Sequence, residues 1–419
     1  MFHKLKNQLQ GLFQVHIGSC QKKLQRFLVE NNYPGVVIDS GSAYLYFSDD
    51  QYAPFRSNPY FKYFCPLDGE KHLLYFSVEK GFELFVYEPE SFWSDIKYKA
   101  EESYWAQSFN LSYMRSAEER KKVLKSKKDW VYIGSPDQNP QEFVVQNPKS
   151  FLSALNWWRS QKSDYEILCL DEANKRGAEA HKRVKELFLS ENPSEFHLHM
   201  EYLKILQEPE ENLPYHSIIG HDEKAAILHY QHKRAHSKGR VLLIDSGASF
   251  ASYGSDITRT YVQAKQELAL FSQIVSAVDE LQQDLSLGVK EGVGFLDLQI
   301  DMHHKLASLL LEHKILKSCS AEAAFKEGLT QVFCPHGLGH MLGLQVHDVG
   351  GFQADEAGTE CKKDPRMPHA RMNRSFRLNE VVTIEPGLYF IPSLLEDKKA
   401  SDKSQHFNWK LIEGLTPLG

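Results

Sequence analysis

Pro335-His-Gly-Leu-Gly-His-Met-Leu-Gly-Leu-Gln-Val-His-Asp348 is the stretch on which the reading of this chain turns. Downstream comes Thr383-Ile-Glu-Pro-Gly387. Well upstream lie Leu243-Ile-Asp-Ser-Gly247 and Ser255-Asp-Ile-Thr-Arg-Thr260. Together they supply Asp245, Asp256, His340 and Glu385, each in an apolar or glycine-bounded run. Two aspartates, a histidine and a glutamate are ligand types of a two-metal hydrolase.

Each member has a physical reason to be a ligand. Asp245 and Asp256 are 11 positions apart, so a strand, a turn and a returning strand would bring them side by side. Facing carboxylates repel unless a cation sits between them. Asp245 ends an apolar run, which implies burial, and an unpaired buried charge is costly. His340 follows Gly337-Leu-Gly339, and glycines permit close backbone approach. Glu385 ends Val381-Val-Thr-Ile and precedes Pro-Gly, a carboxylate placed at the end of a rigid run. Taken singly, each residue has a bland alternative: a surface turn, a satisfied core imidazole, a solvated strand end. Carboxylates with one imidazole favour Mn²⁺, Co²⁺ or Zn²⁺ over thiolate-seeking metals. A metal pair of this kind would polarise a carbonyl and hold a hydroxide for amide hydrolysis without a protein nucleophile. His229, His336 and His347 remain as groups to shuttle a proton or stabilise an oxyanion. Asp348 could fix the tautomer of His347 or merely cap the loop.

Composition narrows the field. At 419 residues the chain has room for two or three domains. A net charge of −6 disfavours a broad nucleic-acid-binding face. No apolar run approaches the roughly 18 residues of a membrane span, and residues 1–30 lack the apolar core of a signal peptide. The 6 cysteines form no Cys-x-x-Cys pair, which argues against a disulfide framework or zinc ribbon and for a reducing cytoplasm.

Residues 1–158 read as a mixed α/β unit. A helix is expected over Leu5–Val29, interrupted near Gly18. Strands are expected at Gly35–Asp39, Leu73–Ser77, Leu84–Tyr87 and Trp130–Gly134. The second domain is placed at 159–419. Ser163-Asp-Tyr-Glu166 is a capping box opening a long helix to about Phe188. Pro193-Ser194 opens another through Leu206. Val241–Asp245 and Asp256–Tyr261 are expected to pair as a hairpin through Ser249–Gly254. Leu268–Leu311 is helical with a break at Gly288–Gly294. From Phe333 onward, short strands are expected to alternate with loops, with surface insertions at Ala354–Ala370 and Glu396–Gln405.

These motifs resemble those of the Xaa-Pro dipeptidases (prolidases) of the pita-bread metallopeptidase family, in their bacterial branch. The likeness runs from about Phe27 to Gly419. It includes Asp49-Asp50, Pro54-Phe55, Asn58-Pro59, Ala225-Ala-Ile-Leu-His-Tyr230, the stretch Pro335–Asp348 and His406-Phe-Asn-Trp409. It implies an N-terminal α/β domain followed by a pita-bread (creatinase/aminopeptidase-like) α+β catalytic domain. It implies hydrolysis of dipeptides with a C-terminal proline, using two divalent ions, Mn²⁺ ahead of Co²⁺ or Zn²⁺. Asp245, Asp256, His340 and Glu385 would be the ligands, with Asp256 bridging and Glu385 also moving a proton. His229 and His347 would line the pocket, with His347 steadying the tetrahedral intermediate. Arg371 would bind the free carboxylate of the dipeptide, and Tyr215 and Asp49 would border the pocket. The resemblance also implies a cytoplasmic homodimer.

One departure stands out. The family pattern has a further bridging glutamate in an Arg-x-Glu-Asp run after a Gly-Gly, on a last strand beside that of Glu385. The chain as written stops at Leu418-Gly419, and Glu413 lies in a helical-looking segment, so weakened metal binding and low activity are expected of it. The alternatives are an aminopeptidase acting on longer peptides, an impaired homologue and a non-catalytic binding protein. A side activity on organophosphorus triesters is a secondary expectation.

Overall fold

The computed structural model describes residues 2–93, 97–135 and 143–419. They form two compact units: Met1–Cys169 with Asp355–Gly358, and Leu170–Ala354 with Thr359–Gly419.

In the first unit, α1 (Phe2–Glu30) is one unbroken helix. The expected interruption at Gly18 does not occur. Leu9, Phe13, Ile17, Cys20, Leu24, Phe27 and Leu28 form a continuous buried stripe past it. Interior glycine costs only about 1 kcal/mol relative to alanine, too little to break a helix whose apolar face is buried. Then come β1 (Val36–Asp39), α2 (Pro59–Phe64), β2 (Leu73–Ser77), β3 (Gly81–Tyr87), β4 (Asn110–Met114), α3 (Ala117–Lys125), β5 (Val131–Ile133), β6 (Val145–Gln146) and α4 (Lys149–Ser160). They build a mixed sheet in the order β4-β3-β2-β1-β5-β6. β2 is buried on both faces, whereas β3 alternates between buried and half-buried residues. That matches the expected α/β layer.

The helix α5 (Asp164–Ser190) opens on the capping box. Ser163 N donates to Glu166 Oε2 at 2.9 Å, and Glu166 N donates to Ser163 Oγ at 3.4 Å.

The second unit contains α6 (Glu195–Leu206), β7 (Ile218–His221), β8 (Val241–Asp245), β9 (Ser249–Phe250), β10 (Tyr253–Gly254), β11 (Thr258–Val262), α7 (Ala269–Leu287), α8 (Phe295–Glu312), α9 (Ala321–Lys326), α10 (Pro392–Lys399) and α11 (Trp409–Leu415). β11, β8 and β7 form an antiparallel sheet in that order. Thr258, not Asp256, faces Asp245. The returning strand begins two residues later than expected, and Asp256 sits in the loop that feeds it. The helices α7 and α8 supply much of a core that includes Phe271, Phe295, Met302, Leu306 and Leu310.

Beyond Phe333 the expected strands are replaced, among the described residues, by isolated bridges, Met341↔Val382 among them. The backbone is nonetheless laced across. Leu342 N donates to Val381 O at 2.9 Å, Thr383 N to His340 O at 2.9 Å and Glu385 N to Leu338 O at 2.8 Å. The reciprocal bond is diverted, because His340 N donates to the Thr383 hydroxyl at 3.0 Å instead of to a carbonyl. A side chain in the ladder explains why the pairing is not regular β structure. The expected insertion at Glu396–Gln405 is largely α10 and a 3-10 turn. Glu413 lies on α11 and bonds to Lys399 at 2.6 Å. Among the described residues, no helix is long and apolar enough to cross a membrane.

Gly339 makes the close approach possible. A Cβ there would sit 2.0 Å from the Thr383 carbonyl oxygen. Gly339→Ala is expected to force the two segments apart and cost roughly 1–3 kcal/mol, the range for overpacking. Urea denaturation measures it; an unmoved midpoint would show that the contact does not constrain the fold.

Candidate metal centre

Three of the expected ligands converge. Asp256, His340 and Glu385 each offer one ligand atom, all within 4.8 Å of one another. His340 Nε2 lies 3.2 Å from Asp256 Oδ2 and 3.5 Å from Glu385 Oε1. The other ring nitrogen, Nδ1, is 2.9 Å from the Met341 carbonyl oxygen. A carbonyl can only accept, so Nδ1 carries a proton, and Nε2 is the nitrogen that faces the two carboxylates and is free to bind a cation once it bears no proton. A metal-binding imidazole needs that tautomer.

Asp245, at the end of β8, stands beside this trio. The Tyr215 hydroxyl lies 2.7 Å from Asp245 Oδ1 and 3.1 Å from Asp256 Oδ1, so it joins the two aspartates. Tyr215 thus contacts two expected ligands directly, a closer role than bordering the pocket. Nothing in Leu213-Pro-Tyr215 signals this, because the residue sits in a loop without periodicity. Gly247 clears space for it. A Cβ at Gly247 would lie 2.9 Å from the Tyr215 ring and 2.0 Å from Ser255 O. Thr383 was also unforeseen: its hydroxyl contacts His340 N and lies 3.4 Å from Glu385 Oε1.

The electrostatics report crowding of negative charge. Burial, the Asp256 carboxylate and Glu385 push Asp245 up to about 7. Burial raises Glu385 as well, with Asp256 adding to it. Burial alone would lower the basicity of His340, but Asp256 and Glu385 outweigh it and raise it. Burial and the two aspartates drive the Tyr215 hydroxyl well above its ordinary value, so it stays a donor. The donor set suits a hard or borderline divalent cation: carboxylate oxygens, one correctly tautomerised imidazole and surplus negative charge.

The remaining site residues differ in placement. His347 packs its ring against His340, with centroids 4.3 Å apart at 78°. Burial, with His340 and Arg371 adding to it, lowers His347 to about 4, so it is neutral near pH 7. His229 is exposed. Arg371 is exposed and near enough to act on His347, whereas Arg374 and Arg377 both bond to Glu380. His336 stays outside the trio. Its Nδ1 is 2.8 Å from Gly337 O and its Nε2 is 3.9 Å from Cys334 Sγ. Burial works against its charge, but Cys334 raises it to about 9. Asp49 lies exposed in the first unit, where Oδ1 accepts the Gln51 amide at 3.1 Å.

A two-unit chain with an Asp/His/Glu centre of this kind is a metallopeptidase of family M24. The model of that family matches residues 169–408, and the model of the Xaa-Pro dipeptidase N-terminal domain matches residues 11–157; the chain belongs to this family. Among its relatives is a protein of Shewanella woodyi named Xaa-Pro dipeptidase, 36% identical, with 99% of this chain and 94% of that one covered. Another, of Shewanella amazonensis, is 37% identical over 98% of this chain and 94% of that one. Among solved structures, Pseudomonas aeruginosa aminopeptidase PepP matches with TM-score 0.71 and 18% identity, covering 93% of this chain and 90% of that one. Zn-substituted Escherichia coli aminopeptidase P matches with TM-score 0.70 and 21% identity, covering 95% and 90%. At that identity the likeness concerns the fold, which is the pita-bread type.

The elevated Asp245 has a consequence for stability. An unfolded aspartate releases its proton near pH ~4, whereas the folded carboxyl holds it up to about 7. The folded state binds the extra proton in that window, so this group's contribution to stability falls as pH rises through it. Several buried histidines shift the other way, His181 and His303 among them. The comparison with Asp245→Asn isolates the aspartate. In chelator, the variant is expected to be more stable than wild type at pH 8 and to lose that advantage at pH 4 to 5. A urea-midpoint difference that does not change with pH would contradict the elevated carboxyl.

Proposed function

We propose that this chain hydrolyses Xaa-Pro dipeptides, with Asp245, Asp256, His340 and Glu385 holding two divalent cations, Mn²⁺ ahead of Co²⁺ or Zn²⁺. The observation that carries the reading is the convergence of Asp256, His340 and Glu385 on one small space, with Asp245 tied to it through Tyr215. The relatives named Xaa-Pro dipeptidase support the substrate class.

The chemistry such cations supply when bound is polarisation of the scissile carbonyl and a lower pKa for the attacking water. The protein's own residues do the rest. Tyr215, kept protonated, neutralises part of the repulsion between Asp245 and Asp256 and fixes their orientation. Thr383 orients Glu385, whose carboxylate, already raised in basicity by its surroundings, accepts the proton released by water and passes it to the leaving secondary-amine nitrogen of proline. His347, neutral at working pH, donates a ring N–H to the oxygen of the tetrahedral intermediate. His229 borders the same space. His336, charged beside Cys334, biases Glu385 electrostatically. Arg371 offers a guanidinium fork to the C-terminal carboxylate of the substrate, which sets the length limit. Asp49 is carried over as a further pocket residue.

The wider reading is a cytoplasmic homodimer. Cys20, Cys65, Cys169, Cys319, Cys334 and Cys361 are free thiols, which suits a reducing compartment. The dimer rests on the resemblance alone.

Arg371→Met tests the length limit. With Gly-Pro as substrate, kcat/KM is expected to fall roughly tenfold or more, mostly through KM, as expected for loss of a charge-assisted contact. Turnover of Gly-Pro-X, if any, should not change. Equal losses on both substrates, or a wild type that prefers the longer peptide, would favour an aminopeptidase instead. Loss of hydrolysis in chelator and its recovery on adding Mn²⁺ tests the metal requirement.

A further inference from the structure

Glu195 is a buried acid that none of the steps above uses. It is the first residue of α6, capped by Ser194, whose Oγ accepts the His197 amide at 3.3 Å. Its side chain is 0% exposed. A buried carboxylate is costly unless its lone pairs are met. Here five donations meet them. Oε1 accepts from His221 N at 2.9 Å, Arg234 Nε at 3.0 Å and Arg234 Nη2 at 2.7 Å. Oε2 accepts from the Tyr230 hydroxyl at 2.8 Å and from Arg234 N at 2.6 Å.

These donors are not sequence neighbours. His221 closes β7, while Tyr230 and Arg234 lie at the far end of the segment that follows. Between them the chain makes a 3-10 turn, Asp222–Ala226, and then runs without regular structure. Such a stretch has few backbone bonds of its own, so side-chain ties to its ends matter for its order, and the Glu195 carboxylate grips both ends. Other ties add to it: Lys233 Nζ to Glu210 Oε1 at 3.1 Å at the far end, Asp222 Oδ1 accepting from Arg240 N at 2.7 Å and Val241 N at 2.9 Å at the near end, and Arg234 Nη2 donating to His221 O at 3.1 Å between the two. Glu195 is the buried group that meets both ends at once.

The segment carries His229. Its neighbour Tyr230 is buried with Ile218, Ala225 and Leu243, and Tyr389 packs against that cluster. The same Tyr389 stacks edge-on against His336, with ring centroids 5.6 Å apart. From Glu195 the contacts therefore run through Tyr230 and Tyr389 to His336. His229 is exposed on this segment, next to the buried Tyr230.

We propose that Glu195 is a positioning residue: by fastening both ends of 221–234 through Tyr230, Arg234 and His221, it sets the place of His229 on that segment. The consequence for turnover rests on the dipeptidase reading; the mechanical role does not.

Glu195→Gln keeps the size and removes the charge. Two readouts apply. First, hydrogen–deuterium exchange of amides in 222–234 should accelerate while β8 and β11 stay protected. Second, kcat/KM for Gly-Pro should fall roughly tenfold or more, as for loss of hydrogen bonds to a charged group, with unchanged metal content. The same substitution placed in a His229→Ala background should then cost almost nothing. Unchanged exchange overturns the clamp. An equal kinetic cost in both backgrounds overturns positioning, because a merely structural role would act regardless of His229. Should Glu195→Gln fail to fold, Tyr230→Phe removes a single donor and should move both readouts in the same direction by less; no movement overturns the proposal. Should the wild type hydrolyse no Xaa-Pro dipeptide, the dipeptidase reading fails separately. The position of His229 in a crystal structure of the Glu195→Gln protein then decides: displaced from its wild-type place it supports the clamp, unmoved it overturns it.

Discussion

Two carboxylates, Asp256 and Glu385, crowd the His340 imidazole with Asp245 beside them, and the mutual repulsion of the three acids is the constraint that the second unit is built to withstand. Asp245 and Glu385 are both raised in pKa by burial and by neighbouring acids. Such a cluster is costly by itself and favourable once a cation occupies it. The protein does not dilute the repulsion by spreading the acids apart. It holds them in place with neutral donors: the Tyr215 hydroxyl between Asp245 and Asp256, and the Thr383 hydroxyl against His340 and Glu385. Neutral donors stabilise the carboxylates without competing for the cation, as a lysine or arginine would.

The acids are delivered from three directions by rigid pieces of backbone. Asp245 ends a buried strand paired on both sides, by β7 and by β11. Asp256 sits just before β11, where Ser246 N donates to Ile257 O at 3.1 Å and pins the loop. His340 and Glu385 arrive together, because Leu338–Leu342 and Val381–Glu385 are laced across the Gly339–Thr383 contact. Side chains fixed this way lose little entropy on binding a ligand, which favours a preorganised site. The outer residues, His229 and Arg371, are exposed and sit on segments with little regular structure, as suits groups that meet a substrate.

The convergence of Asp256, His340 and Glu385 was legible in the sequence because each follows an apolar or glycine-bounded run, and such runs constrain burial and approach. The capping box Ser163–Glu166 was legible for a similar reason: its geometry is local. Thr383 was not singled out, and Tyr215 was named only through the resemblance, as bordering the pocket; the bonds of Tyr215 to Asp245 and Asp256 and of Thr383 to His340 join residues distant in the chain. Gly18 misled because a glycine marks a break only where the surrounding packing permits one. The stretch after Phe333 has β-like composition, but Thr383 gives its hydroxyl to the backbone where a carbonyl would stand, and the pairing stays irregular. Glu195 was hidden among ordinary helix-opening acids. Its burial arises from a segment that folds back over it, which periodicity along α6 does not record.

The central claim is that Asp256, His340, Glu385 and Asp245 together hold divalent cations. Anomalous diffraction from crystals grown with Mn²⁺ tests it most directly. The account predicts two peaks, each within about 2.0–2.3 Å of carboxylate oxygens or the His340 Nε2, in the usual range of ligand bonds. Manganese found only at surface carboxylates, with these four side chains unliganded, would contradict it.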